Sequence, residues 1–249
     1  MTLILDAEDL VGVLDYPTAI EAVEGAFRDL GSGKAVMPVR LTIRVEAHEG
    51  VTAFMPAYLP GKDQLGIKVV SAFGGNREKF GLPTVIGSIL LLDAKSGMPM
   101  AIVDGTYVTA VRTAAASAVA TKYMAREDAS TLGIFGSGVQ GETHLLAISE
   151  VRRLDGAVVN SRDSKRCEDF CKRMSKKTGI RVEPGRPQEV AKSDIVVTAT
   201  TSKTPVFDGG WVGKGTHING IGSHSLQARE LDERVVSPRD SSSIPWRAT

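Results

Sequence analysis

The stretch Thr131–Arg153 reads TLGIFGSGVQGETHLLAISEVRR. It begins as a short apolar strand, passes through the turn Gly136-Ser137-Gly138-Val139-Gln140-Gly141, and continues as an amphipathic helix. A strand, a G-x-G-x-x-G turn and a helix in immediate succession suit a dinucleotide pyrophosphate. The first glycine permits the tight turn, and the second lets the backbone approach the phosphates. The third lets helix and strand pack closely, and the helix N-terminus offers free N–H groups at a positive dipole end. Glycine-rich turns are common, so the motif gains weight only from its context. Here a strand precedes it, and a second strand, Gly156–Asn160, follows about twenty residues on. Gly136, Gly138, Val139 and Gln140 are therefore the expected cofactor contacts.

Downstream, strand and helix patterns keep alternating: Ser164–Lys177 helical, Arg181–Glu183 extended, Gln188–Lys192 helical, Asp194–Thr198 extended. The segment Lys214–Gly222 then enters another glycine-rich loop. That alternation predicts a doubly wound parallel sheet of Rossmann type. Upstream, the pattern changes. One amphipathic helix, Ala19–Leu30, starts after Tyr16-Pro17-Thr18 and stops at Gly31. Short strands at Val39–Val45, Val51–Met55, Gly66–Ser71, Val85–Leu92 and Met100–Val103 follow, separated by turn residues. Sequential strands joined by tight turns predict a separate α+β domain. An alanine-rich helix, Thr109–Arg126, leads from one pattern to the other. The expected organisation is a substrate-binding and dimerisation domain over 1–108, an incomplete dinucleotide-binding domain over 109–236, and a disordered tail over 237–249.

With 249 residues the chain can bury a sizeable core. A net charge of +1 with 24% charged residues gives no electrostatic reason to expect nucleic acid or a membrane surface as partner. The longest apolar run, Val85–Leu92, is closed by Asp93 and is too short to span a bilayer. No charged segment followed by an apolar one opens the chain, so a cytoplasmic protein is expected. Cys167 and Cys171 sit four apart in a helical pattern without a second Cys/His pair at zinc spacing. Two reduced thiols and no metal site are the expectation.

Six segments then carry a resemblance: GIKVVS (66–71), LPTVIGSILLLDAKSG (82–97), TAVRTAAASAVA (109–120), GIFGSGVQ (133–140), DIVVTATTS (194–202) and HINGIGSHSLQARELD (217–232). In order and spacing they resemble the ornithine cyclodeaminase/mu-crystallin family. The resemblance implies a homodimeric enzyme that uses NAD(P) on a small amino or imino acid. By position, Lys68 resembles the lysine that faces the substrate at the nicotinamide, where an ammonium can bind a carboxylate or exchange a proton with the substrate nitrogen. Arg40 resembles the arginine that clamps the substrate carboxylate. Arg112 resembles the arginine that reaches cofactor and substrate, and its place near a helix start favours anion contact. Thr84 resembles the residue at the nicotinamide end. Ala199, between Thr198 and Thr200, and Gly222 complete the expected cofactor contacts.

Departures from the family pattern decide the expected reaction. Cyclodeaminases carry acids where this chain has His224 and Ala53. His224 can still move a proton, since its unperturbed pKa lies near neutrality, or it can merely shape the pocket. Hydride transfer at a Cα–N bond needs only a carboxylate clamp, a proton donor and a positioned nicotinamide. An alanine dehydrogenase or ketimine reductase is therefore favoured over a cyclodeaminase that makes proline and ammonia from ornithine. A catalytically silent dinucleotide-binding protein is the remaining alternative. Cofactor choice rests on Asn160-Ser161-Arg162-Asp163. Ser161 and Arg162 suit the 2′-phosphate of NADP, whereas Asp163 reaching back to the ribose would suit NAD. Beyond Ser237 the family pattern gives way to PRDSSSIPWRAT. The expectation there is a shortened chain that exposes a sheet edge and aggregates.

Overall fold

The computed structural model describes residues 1–223 and 228–236; His224 and the tail 237–249 lie outside the described residues. The chain is an α/β protein that divides into two compact units, Met1–Ala116 and Ser117–Thr249.

The first unit is built on a six-stranded mixed sheet. Its strands are β1 (Leu3–Leu5), β2 (Leu41–Val45), β3 (Gly50–Leu59), β4 (Gln64–Phe73), β5 (Val85–Asp93) and β6 (Pro99–Asp104). Their spatial order is β1-β6-β5-β4-β3-β2, with β1 parallel to β6 and the rest antiparallel. Helices α1 (Ala7–Val11), α2 (Tyr16–Gly31) and α3 (Asn76–Phe80) belong to this unit. The N-cap of α2 is Asp15, whose carboxylate accepts from Thr18 N at 2.9 Å, with Pro17 in the first turn. Leu10, Ala101 and Val103 are buried together, with Leu5, Ile89, Tyr107 and Val108 packed against them.

Helix α4 (Gly105–Met124) runs through the division between the units. It begins four residues earlier than the composition suggests. Gly105 is tolerated there because a Cβ would meet the Gly87 carbonyl carbon at 2.7 Å; only a glycine lets the helix start against β5. This moves Arg112 to the second turn, beyond the reach of the dipole at a helix start. The electrostatic reason given for Arg112 therefore falls.

The second unit carries a five-stranded parallel sheet: β7 (Thr131–Phe135), β8 (Gly156–Asn160), β9 (Val182–Pro184), β10 (Ile195–Thr198) and β11 (His217–Gly220). Their order is β11-β10-β7-β8-β9. Helices α5 (Val139–Ser149), α6 (Ser164–Thr178), α7 (Pro187–Ala191) and α8 (Glu233–Val236) accompany it. Leu132, Ile134, Leu145, Ile148, Val159 and Met174 form the larger core, with Cys167 and Cys171 both buried and free. A second core lies around Phe135, Val190 and Val196, where Phe135 stacks on Phe207 with centroids 5.0 Å apart. Cores built from residues that alternate along β7 (Leu132 and Ile134, then Phe135) mean that both faces of the sheet are covered, as doubly wound sheets require. No helix among the described residues is long and apolar enough to cross a membrane.

Candidate functional site

In the second unit, β7 continues to β8 and β9 on one side, while β10 and β11 lie on the other. The carboxyl ends of β7 and β10 therefore flank a topological switch point, where open α/β sheets receive ligands. The glycine turn sits there, and each glycine answers a different demand. Gly136 has φ +108°, and a Cβ would collide with the Ala199 carbonyl. At Gly141 a Cβ would collide with the Gly136 carbonyl, which explains how α5 packs onto the turn. Around Gly138 there is nothing within 4 Å of a Cβ, and this residue N-caps α5 without a side-chain hydrogen bond. The start of α5 thus faces open space with its dipole uncompensated by a capping acceptor, an arrangement that fits an anionic diphosphate.

Val139 is exposed, whereas the Gln140 Oε1 atom is buried and without a partner among the described residues. Thr198 Oγ1, at the end of β10, is another such atom. Orphaned buried oxygens beside a crevice are acceptors held ready for a donor. The turn is joined to the end of β8 by Ser137 Oγ donating to Ser161 Oγ at 3.1 Å and Gly136 N donating to Asn160 O at 2.8 Å. Arg162 is exposed. The Asp163 carboxylate accepts from Arg166 N at 3.0 Å and caps α6, which draws it toward the helix. Behind the turn, His144 is fully buried. Its Nδ1 lies 2.6 Å from the Gln140 carbonyl, and its Nε2 lies 3.0 Å from Ser117 Oγ.

In the first unit the sheet brings cations together. Lys68 of β4 pairs with Met55 of β3 and with Ile89 of β5. Arg40 immediately precedes β2, whose register with β3 begins at Leu41↔Phe54. Ala53 lies on the face of Met55 and Lys68, two residues from Met55, and offers no carboxylate. Lys68 lines a cavity of about 530 Å³ whose walls include Met55, Ala57, Ile89 and Leu91. Burial and, after it, the positive charge of Arg112 together push the Lys68 pKa down to about 8. Arg112 presents an exposed residue surface, yet desolvation at its guanidinium holds its pKa below the ordinary arginine value. None of Arg40, Lys68 and Arg112 forms an ion pair among the described residues. Thr84 is exposed at the entry to β5, where its carbonyl accepts from Phe73 N at 2.9 Å.

Apart from His224, which lies outside the described residues, the expected residues divide between the units: Arg40, Lys68, Thr84 and Arg112 in the first, and Gly136, Gly138, Val139, Gln140, Ser161, Arg162, Ala199 and Gly222 in the second. Sequence reasoning passed over Glu230, which is completely buried behind Gly222. An acid in the polar run ARELD gives no local signal of burial.

The model of the ornithine cyclodeaminase/mu-crystallin family matches residues 1–241. Alanine dehydrogenase of Archaeoglobus fulgidus is 36% identical over 241 residues, covering 94% of this chain and 71% of that protein. Among solved structures, Thermococcus litoralis Δ1-pyrroline-2-carboxylate reductase in complex with NADH and L-proline superposes with a TM-score of 0.90. It is 46% identical, over 94% of this chain and 73% of that one. An archaeal alanine dehydrogenase dimer with bound NAD gives a TM-score of 0.87 at 36% identity, over 93% and 70%.

Proposed function

The chain belongs to the ornithine cyclodeaminase/mu-crystallin family, and we propose that it is an NAD(P)-dependent oxidoreductase acting on the Cα–N bond of a small amino or imino acid. One observation carries the reading: Lys68 lines a largely apolar cavity, Arg112 lies near enough to act on its charge, and neither forms an ion pair among the described residues. Two neighbouring cations at an apolar cavity form a site for an anion, and an amino acid supplies one in its carboxylate.

The roles follow from the chemistry of each group. Arg40 and Arg112 hold the substrate carboxylate; a guanidinium does this with two parallel hydrogen bonds and a fixed orientation. Lys68, titrating near neutrality, gives a proton to the substrate nitrogen on reduction and takes one on oxidation. Met55, Ile89 and Leu91 give the cavity apolar walls, and Asp63 is the one carboxylate among its lining residues. In the second unit, the start of α5 and the open space at Gly138 hold the diphosphate. A nicotinamide, when bound, supplies or accepts the hydride at Cα. At the end of β8, Arg162 favours the 2′-phosphate of NADP, since the Asp163 carboxylate is drawn into capping α6. The solved relatives named above hold NADH and NAD, so both cofactor forms belong in the assay.

With Ala53 facing the site where a second acid would stand, cyclodeamination is not favoured. The test is oxidation of NADPH and NADH by the purified chain, offered cyclic ketimines, pyruvate with ammonia, and other 2-oxo acids. Turnover with an imino acid is expected. Binding of the dinucleotide without turnover on any of them would leave the silent-binder reading in its place.

A further inference from the structure

The loops that leave β10 and β11 both run along the carboxyl edge of the parallel sheet, next to the switch point. Loops of this kind usually expose backbone N–H groups to the ligand. Here two are occupied from inside the protein by one side chain. Glu230 is completely buried. Its Oε1 accepts from Thr200 N and from Thr200 Oγ1, both at 2.6 Å, and its Oε2 accepts from Gly222 N at 2.5 Å. The backbone of Glu230 adds to the tie: its N–H donates to Ser223 Oγ at 3.0 Å, and its carbonyl accepts from Val206 N at 2.9 Å.

Thr200 follows β10 and Gly222 follows β11, so the carboxylate bridges two loops that are not neighbours in sequence. Gly222 is there because a Cβ would collide with the Thr200 carbonyl. The first loop is in turn seated against the glycine turn, through Ala199 N donating to Phe135 O at 2.8 Å and the contact of Gly136 with the Ala199 carbonyl. Glycine turn, β10 loop, Glu230 and β11 loop form one connected rim.

Burying an acid costs free energy that an apolar residue would avoid, and the cost is recovered only where every donor is in place. What this acid secures beyond core packing is the relative position of two loops. We propose that Glu230 is a positioning residue for the dinucleotide. It holds the β10 and β11 loops at the spacing the cofactor requires, without touching the cofactor itself. This rests on the dinucleotide-binding reading given above.

The experiment is fluorescence titration of the full chain with NADH and with NADPH, combined with steady-state kinetics, for wild type, Glu230→Gln and Thr200→Val. The glutamine amide turns one acceptor into a donor that faces another donor. Loss of a hydrogen bond to a charged group predicts a Kd and a cofactor KM raised about tenfold or more. The KM for the imino acid should stay unchanged. Thr200→Val removes the hydroxyl, which donates to Glu230 and accepts from Ser202 N at 3.1 Å, but keeps the Thr200 N–H, and about a threefold rise in Kd is expected. A fall in melting temperature with unchanged Kd in both variants overturns the proposal and leaves Glu230 a structural acid. If Glu230→Gln does not fold, an unchanged Kd in Thr200→Val is enough to overturn it. A wild-type chain that binds neither dinucleotide refutes the underlying reading instead, so the two failures are distinct.

Discussion

Lys68 is held on a strand where desolvation and a neighbouring guanidinium both oppose its charge, and its pKa falls to about 8. The two directions of the proposed reaction should therefore respond to pH in opposite ways. Reduction needs the ammonium as proton donor, so its kcat/KM should decline as pH rises through about 8. Oxidation needs the free amine, so its kcat/KM should climb across the same interval. Profiles that run parallel in the two directions would remove Lys68 from the proton transfer. Replacing it, as in Lys68→Ala, should lower turnover by about a hundredfold or more while leaving dinucleotide affinity nearly intact. Arg162 poses a question of selectivity at the same scale. Arg162→Ala should weaken NADPH binding by about 1.5–3 kcal/mol, the worth of a hydrogen bond to a charged group, and NADH binding far less. Equal losses in calorimetric titrations would make Arg162 an ordinary surface residue and return the ribose to Asp163.

Helix α5 owes its seat behind the glycine turn to His144, whose ring must donate from Nδ1 to the Gln140 carbonyl and accept at Nε2 from Ser117. Burial lowers its pKa from 6.5 to about 4, against the opposing effect of the Gln140 hydrogen bond. A base with a depressed folded pKa stabilises fully above its unfolded value. That stability is lost as pH falls from 6.5 toward 4, by about 3 kcal/mol in all. Melting curves of wild type should therefore drop steeply over that interval. His144→Leu should melt lower at pH 7 yet show a shallower slope; an undiminished slope would assign the acid sensitivity elsewhere. The elements around this helix were the most legible in the sequence. Strands β7 and β10 are apolar runs buried on both faces, β8 buries alternate residues, and turn residues bound them. The least legible were β1 and α1. LIL and AEDLV are too short to show a period, and β1 exists only through its pairing with β6, nearly a hundred residues away. Helix α2 starts at Tyr16, three residues before the expected Ala19, because Asp15 and not the segment Tyr16-Pro17-Thr18 caps it. In the site, a glycine motif is local and therefore readable. Glu230 was not, since its donors lie 8 and 30 residues away.

For the molecule as a whole, the six-stranded sheet presents one face that its own helices leave open. By strand register Leu41, Ile43, Ile86 and Ile102, with Ile4, fall on the face opposite Lys68, and all five are exposed. Exposed apolar side chains on one sheet face suit a second copy packed about a twofold axis. The expected state in sedimentation equilibrium is a dimer, and Ile43→Lys with Ile102→Lys should shift it to monomer. A wild-type monomer would contradict that. The central claim, hydride exchange at the carbon bearing nitrogen, is tested most directly by following the label from reduced cofactor deuterated at the transferring position. With a cyclic ketimine as substrate, mass spectrometry and proton NMR should find deuterium at Cα of the amino acid formed, in stoichiometry with cofactor oxidised. Product without label, or ammonia and proline released from ornithine with no net cofactor oxidised, would contradict it.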